Sequence, residues 1–270
     1  MKKFIVAITL VSAGVSQAQV APGKETKPAG KLVSGDARSP TGPEWSWTLV
    51  RATGMGAPDL TAKTPAQARI GAENAAKLDA LRNLLTQVQG IRVSGDKKMG
   101  DLMARDEIRA RVEGLIRGYR VAGKRYFSDA SVEIDIEASA SLLTEVFDAD
   151  PLQVPPPKVS GDKVATGLVI DARGLSVTPA LAPRVLDTNG KAVYSVDTLS
   201  PEWRGRTGVV SYVTSLEEAG KSPKAGDKPL TVKAAKVQGT DVVLSTDEAT
   251  RILGANASYL AEGKVVIVMN

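Results

Sequence analysis

The 270-residue sequence predicts an α+β protein of two small domains, each an antiparallel or mixed sheet with helices packed on one face, after a signal peptide and a flexible linker. Three features lead there: apolar residues at helical spacing behind capped starts, short runs with strict apolar–polar alternation, and two proline-rich breaks between them.

Lys2 and Lys3 precede a mostly apolar run, Phe4 to Val15, and Ser16-Gln17-Ala18 puts small residues where a signal peptidase reads. Cleavage is expected between Ala18 and Gln19. The run is shorter than the roughly 20 residues a bilayer core requires, so the mature chain is expected to carry no transmembrane segment. Residues 19–43 are rich in Pro, Gly, Lys and Ser and read as a disordered linker. Pro151 and Pro155-Pro156-Pro157 mark a second break over 149–163, which divides a first domain, 44–148, from a second, 164–270.

The first domain opens with an extended segment, Trp45 to Ala52. Thr64 then offers an N-cap, Pro65 suits the first helical position, Gln67 completes a capping-box pattern and Gly90 stands where a left-handed cap would end the helix. Ile70, Leu78, Leu81, Leu85 and Val88 share one face, expected to lie on a sheet, with Glu73 and Lys77 paired on the exposed side. A shorter helix, Glu107 to Arg117, places Ile108, Val112, Leu115 and Ile116 together. Strands Tyr119–Phe127 and Ser131–Ser139 follow, and alternation in the second puts Glu133, Asp135 and Glu137 on one open, solvated face.

In the second domain Leu168-Val169-Ile170 reads as a buried strand, and Asn189-Gly190 as a hairpin turn between Arg184–Asp187 and Ala192–Val196. A polar helical stretch lies near Ser215–Ala219. Strands Leu230–Val237 and Asp241–Leu244 join at Gly239, Ser245 with Glu248 caps a helix carrying Ala249, Ile252, Leu253 and Leu260 on one side, and Val265–Met269 forms an apolar closing strand.

Composition excludes several chemistries. The chain has neither Cys nor His, which removes disulfides, thiolate nucleophiles, Ser-His-Asp triads and His- or Cys-ligated zinc. No cofactor is expected. The net charge of +5 falls to +3 once Lys2 and Lys3 depart, too little for a nucleic-acid partner. Glu133, Asp135 and Glu137 have the spacing of a hydrolase carboxylate pair, but alternation alone produces such a row. Gly54-Met55-Gly56 lacks the third glycine of a dinucleotide fingerprint and reads as a loop.

Ala68-Arg69, the run Ala75 to Leu85, Gly90-Ile91-Arg92-Val93, Val112 to Gly118 and Val121 resemble the core of the twenty-kilodalton (LPP) envelope lipoprotein family, over about Trp47 to Val146. Domains of flagellar assembly proteins P and T are similar to it. The run Thr166 to Leu175, with Pro179-Ala180-Leu181 and Pro183 to Asp187, resembles the module that accompanies this domain in some members. The resemblance implies a non-catalytic envelope protein with a structural or assembly role. Its implied partners are envelope or outer-membrane proteins, flagellar basal-body components among them, and further copies of itself. Many members are lipidated, but this chain has no cysteine to acylate, so the periplasm is the expected address, with outer-membrane association the alternative. The candidate partner surface is Arg82, Asn83, Arg117 and Arg120. The competing readings are a periplasmic module that binds cell-wall glycan or a small ligand and, ranked below it, a carboxylate-based hydrolase.

Overall fold

The computed structural model describes residues 30–37, 41–44, 49–147, 165–254 and 258–269. The Ala18–Gln19 cleavage site, the start of the first linker and the break at 149–163 lie outside them. The chain is α+β, with its strands gathered into two principal sheets on either side of that break.

The first half runs β1 (Leu32–Gly35), β2 (Gly42–Glu44), β3 (Leu49–Gly56), α1 (Pro65–Gly90), β4 (Arg92–Ser94), β5 (Lys97–Lys98), α2 (Met99–Leu102), α3 (Asp106–Ile116), β6 (Arg120–Phe127), β7 (Val132–Ser139) and a 3₁₀ helix at Ala140–Val146. Its antiparallel sheet has the order β1-β6-β7-β3-β2, so the segment read as a disordered linker contributes both edge strands. Pairing onto an existing sheet satisfies backbone groups that sequence composition alone leaves unaccounted for.

Thr64 caps α1 as expected, accepting from the Gln67 N–H at 3.2 Å. The helix continues through Gly90 without a left-handed cap, because Ile91 ends it in an extended conformation. A larger correction concerns its buried face. Ala72, Ala76, Ala80, Leu84 and Val88 lie against the sheet, whereas Ile70 and Leu78 are 61% and 66% exposed and Leu81 and Leu85 are half-buried. The reason is Gly54-Met55-Gly56, which is part of β3 and not a loop. A Cβ on Gly54 would overlap the backbone of Ala76 and Ala80, and one on Gly56 that of Ala72. At Ala72, Ala76 and Ala80 helix and strand therefore meet small residue on small residue, at a separation that leucines could not enter there. Leu84→Ala is expected to cost about 2–5 kcal/mol in urea unfolding. Leu78→Ala should change stability by no more than about 0.5 kcal/mol.

The second half runs β8 (Gly167–Asp171), β9 (Val185–Leu186), β10 (Ala192–Tyr194), a 3₁₀ turn at Val196–Thr198, α4 (Pro201–Thr207), β11 (Ser211–Val213), α5 (Leu216–Lys221), β12 (Pro229–Gln238), β13 (Asp241–Leu244), α6 (Thr246–Gly254), α7 (Ser258–Ala261) and β14 (Val265–Val268). The sheet is mixed, ordered β10-β9-β13-β12-β8-β14-β11, with β8 parallel to both of its neighbours. Continuous apolar runs at β8 and β14 match that central position, where both faces are covered. The Asn189-Gly190 hairpin forms as expected: Gly190 has φ 79°, and Asp187 Oδ1 accepts from the N–H groups of Asn189 and Lys191. Ser245 caps α6, but Leu253 is 42% exposed and Leu260 falls in α7.

The two halves are joined by hydrogen bonds. The Leu181 and Ala182 N–H groups donate to the carbonyls of Arg92 and Val93 at 2.9 and 2.8 Å, and Gly95 N–H donates to Thr240 Oγ1 at 2.7 Å. Thr144 Oγ1 donates to the Arg204 carbonyl, and the buried Arg204 guanidinium donates to the Phe147 and Leu199 carbonyls. One apolar core runs through both halves.

Candidate functional site

The carboxylate row proves to be buried, which corrects the expectation of a solvated face. Val132, Ile134 and Ile136 of β7 lie under α1, so Glu133, Asp135 and Glu137 project to the other side of the sheet, where they are 3%, 1% and 5% exposed. Each meets a cation or hydroxyl supplied in register by a neighbouring strand. Arg125 clasps Asp135 with two bonds of 2.7 and 2.5 Å and reaches Glu133 at 3.2 Å. Thr53 Oγ1 donates to Asp135 at 2.6 Å, and Arg51 and Arg120 both donate to Glu137. Just after β1 the chain reaches this face, with the Ala37 carbonyl accepting from Arg125 Nη1 at 3.3 Å. Burial pushes the Glu137 carboxyl up, but the bonds from Arg51 and Arg120 outweigh it and hold the group below its usual range. A glycosidase acid needs the opposite shift. The row is a set of structural ion pairs.

A cleft of about 390 Å³ opens between the halves, with Val93, Leu102 and Ile108 on one wall and Ala182 and Val196 on the other. Its rim carries Arg105, Arg184 and Asp197. Arg184 is already committed to Asp241, through its backbone N–H and its guanidinium.

The residues of the candidate partner surface do not form one patch. Asn83 turns inward, its amide donating to the Thr53 carbonyl at 2.9 Å, so it fastens α1 to β3. Arg120 pairs with Glu137 on the sheet face away from α1. Arg82 and Arg117 remain exposed, on α1 and just beyond α3 respectively. Glu73 does not form an ion pair with Lys77: it takes Lys124 Nζ and the Tyr126 hydroxyl at 3.1 and 3.0 Å, and the Lys124 bond is the main reason its carboxyl lies below the ordinary range.

Lys224 has no counterpart in the sequence reading. Its half-buried ammonium donates to the Gly208 carbonyl at 3.2 Å, and burial pushes it down to about 7. An unfolded chain holds this proton up to the ordinary value of 10.5 while the folded one releases it near 7, so between those values the unfolded state binds more protons and stability should rise with pH. Lys224→Met is expected to raise the melting temperature below about pH 7 and to flatten that rise. Scanning calorimetry across the window checks both, and a flat wild-type profile would contradict the assignment.

Together these features define a two-domain α+β protein whose buried carboxylate row is spent on internal pairing and whose first helix leaves Ile70 and Leu78 exposed. Residues 167–270 match the family profile of the second domain of Treponema pallidum Tp0624, a bacterial family. No curated protein matches the chain.

Proposed function

We propose that the protein is an exported, non-catalytic component of the bacterial cell envelope, with a structural or assembly role exerted by docking. The observation that carries this reading is the outer face of α1, where Ile70 and Leu78 stand exposed beside the half-buried Leu81 and Leu85. Large apolar groups in line on a helix surface mark an interaction site more often than a random scatter does. The leader with Lys2, Lys3 and the Ala18–Gln19 junction supports export to the periplasm, and the likeness of residues 47–146 to the LPP family supports an envelope role. Within that reading, outer-membrane proteins, flagellar basal-body components and further copies of the chain are the proposed partner classes.

The test is mass spectrometry of the N-terminus combined with crosslinking in intact envelopes. The expected result is a chain starting at Gln19 that crosslinks into a species larger than a monomer. Retention of Met1–Ala18, or a folded wild type found only as a free, uncrosslinked monomer, would defeat the reading. The interdomain cleft favours a second one, a periplasmic module for a small ligand, in which Arg105 would meet an anionic group. Loss of binding in Arg105→Ala, measured calorimetrically with muropeptides as the probe, would support it.

A further inference from the structure

We infer that the outer face of α1 docks onto an anionic lipid surface, an assignment that rests on reading the protein as a docking component of the envelope. At about 100° per residue, Ile70, Leu78, Leu81 and Leu85 form a stripe about 80° wide, centred about 120° from the buried Ala72–Val88 face; Ile70 and Leu78 are its exposed members, while Leu81 and Leu85 pack partly against the core. The exposed Asn74 interrupts the stripe with an uncharged amide, which can hydrogen-bond to headgroup oxygens and suits a shallow seat better than a deep one. Leu60, 92% exposed, extends the apolar surface: the loop before the helix lies against the first turns of α1, where Asp59 Cβ is 4.0 Å from the position a Gly71 Cβ would occupy.

The charges around this stripe select its occupant. Lys77 and Arg82 flank it on opposite sides and Lys63 stands just before the helix; none of the three makes a salt bridge among the described residues, and Lys77 acts on Glu73 only at longer range. The nearby acids are all engaged elsewhere. Asp59 accepts from the Thr61 N–H and hydroxyl, Glu73 binds Lys124 and Tyr126, and Asp79 accepts from Met55 N–H and Asn83. A second copy laid antiparallel on the middle of the stripe would bring Lys77 beside its own counterpart, cation to cation with no acid free to pair. An apolar stripe between cations without salt bridges fits instead the boundary between acyl chains and anionic headgroups, with Leu60, Ile70 and Leu78 below the phosphates and the basic groups level with them.

The experiment is co-sedimentation of the processed chain, from Gln19, with phosphatidylglycerol vesicles and with neutral phosphatidylcholine vesicles, alongside sedimentation velocity without lipid. The wild type is expected to bind the anionic vesicles preferentially and to weaken as salt is raised. Leu60→Glu/Leu78→Glu and Lys77→Glu/Arg82→Glu should each weaken binding at least about tenfold while keeping the wild-type melting curve, since all four side chains are at the surface. Unchanged binding by either double variant, or equal binding to neutral vesicles, would overturn the inference. So would a wild-type dimer that Leu78→Glu dissociates without affecting vesicle binding. Failure here leaves export and crosslinking intact, and failure there leaves vesicle binding intact, so the two proposals are separable.

Discussion

Arg125→Met should destabilise the protein by about 3–5 kcal/mol in urea unfolding, because it removes three of the bonds that Asp135 and Glu133 accept and leaves their buried charge facing an apolar side chain. The guanidinium is 3% exposed and supplies three of the bonds that satisfy those groups. Two further measurements separate this cause from lost packing. Adding Asp135→Asn to the variant should recover part of the loss, and a double-mutant cycle reads that coupling directly. Acid should also shrink the difference between variant and wild type, since protonation removes the stranded charge. Glu137 reports the same network from the other end. Its folded-state value lies below the ordinary 4.5, so its contribution is complete above that pH and is lost as pH falls through the depressed value. A destabilisation below about 1 kcal/mol in Arg125→Met would show that water reaches the carboxylates.

Gly54→Ala is expected to cost at least about 3 kcal/mol, an unusually large effect for one added methyl group. The new Cβ would meet the backbone of Ala76 and Ala80, which cannot rotate away as a side chain can, so α1 must lift from β3 along its length. Gly114→Ala is the control. That glycine lies inside α3, exposed, with nothing within 4 Å of an added Cβ, and alanine there should stabilise by about 0.5–1 kcal/mol. Equal effects at the two sites, read by thermal unfolding, would rule out close packing as the reason for the glycine in β3.

Much of the architecture was legible because local chemistry fixed it. Thr64 and Pro65 started α1, Asn189-Gly190 turned its hairpin, and the unbroken apolar runs of β8 and β14 marked strands covered on both faces. Two readings failed for a shared reason. Periodicity identifies which residues share a face, but not what lies over that face. On α1 two stripes competed, one of leucine and isoleucine and one mostly of alanine. Transfer free energy favours the first, whereas the close approach permitted by Gly54 and Gly56 selects the second. Glycines at i and i+2 in a strand, opposite alanines every fourth residue in a helix, were the signal available. In β7 alternation correctly grouped Glu133, Asp135 and Glu137. Arg51, Arg120 and Arg125, each on a neighbouring strand, were the visible hint that the row was paired rather than solvated.

The bonds from Leu181 and Ala182 to the β4 carbonyls lengthen the β4–β5 ribbon with chain from the far half of the molecule. A protease cut in the connection between the halves would therefore yield two polypeptides that still migrate together. An excised 167–270 fragment would expose those two donors, together with Arg204, to solvent. The segment that evolution reuses as a module and the segment that melts as a unit need not have the same ends in this protein.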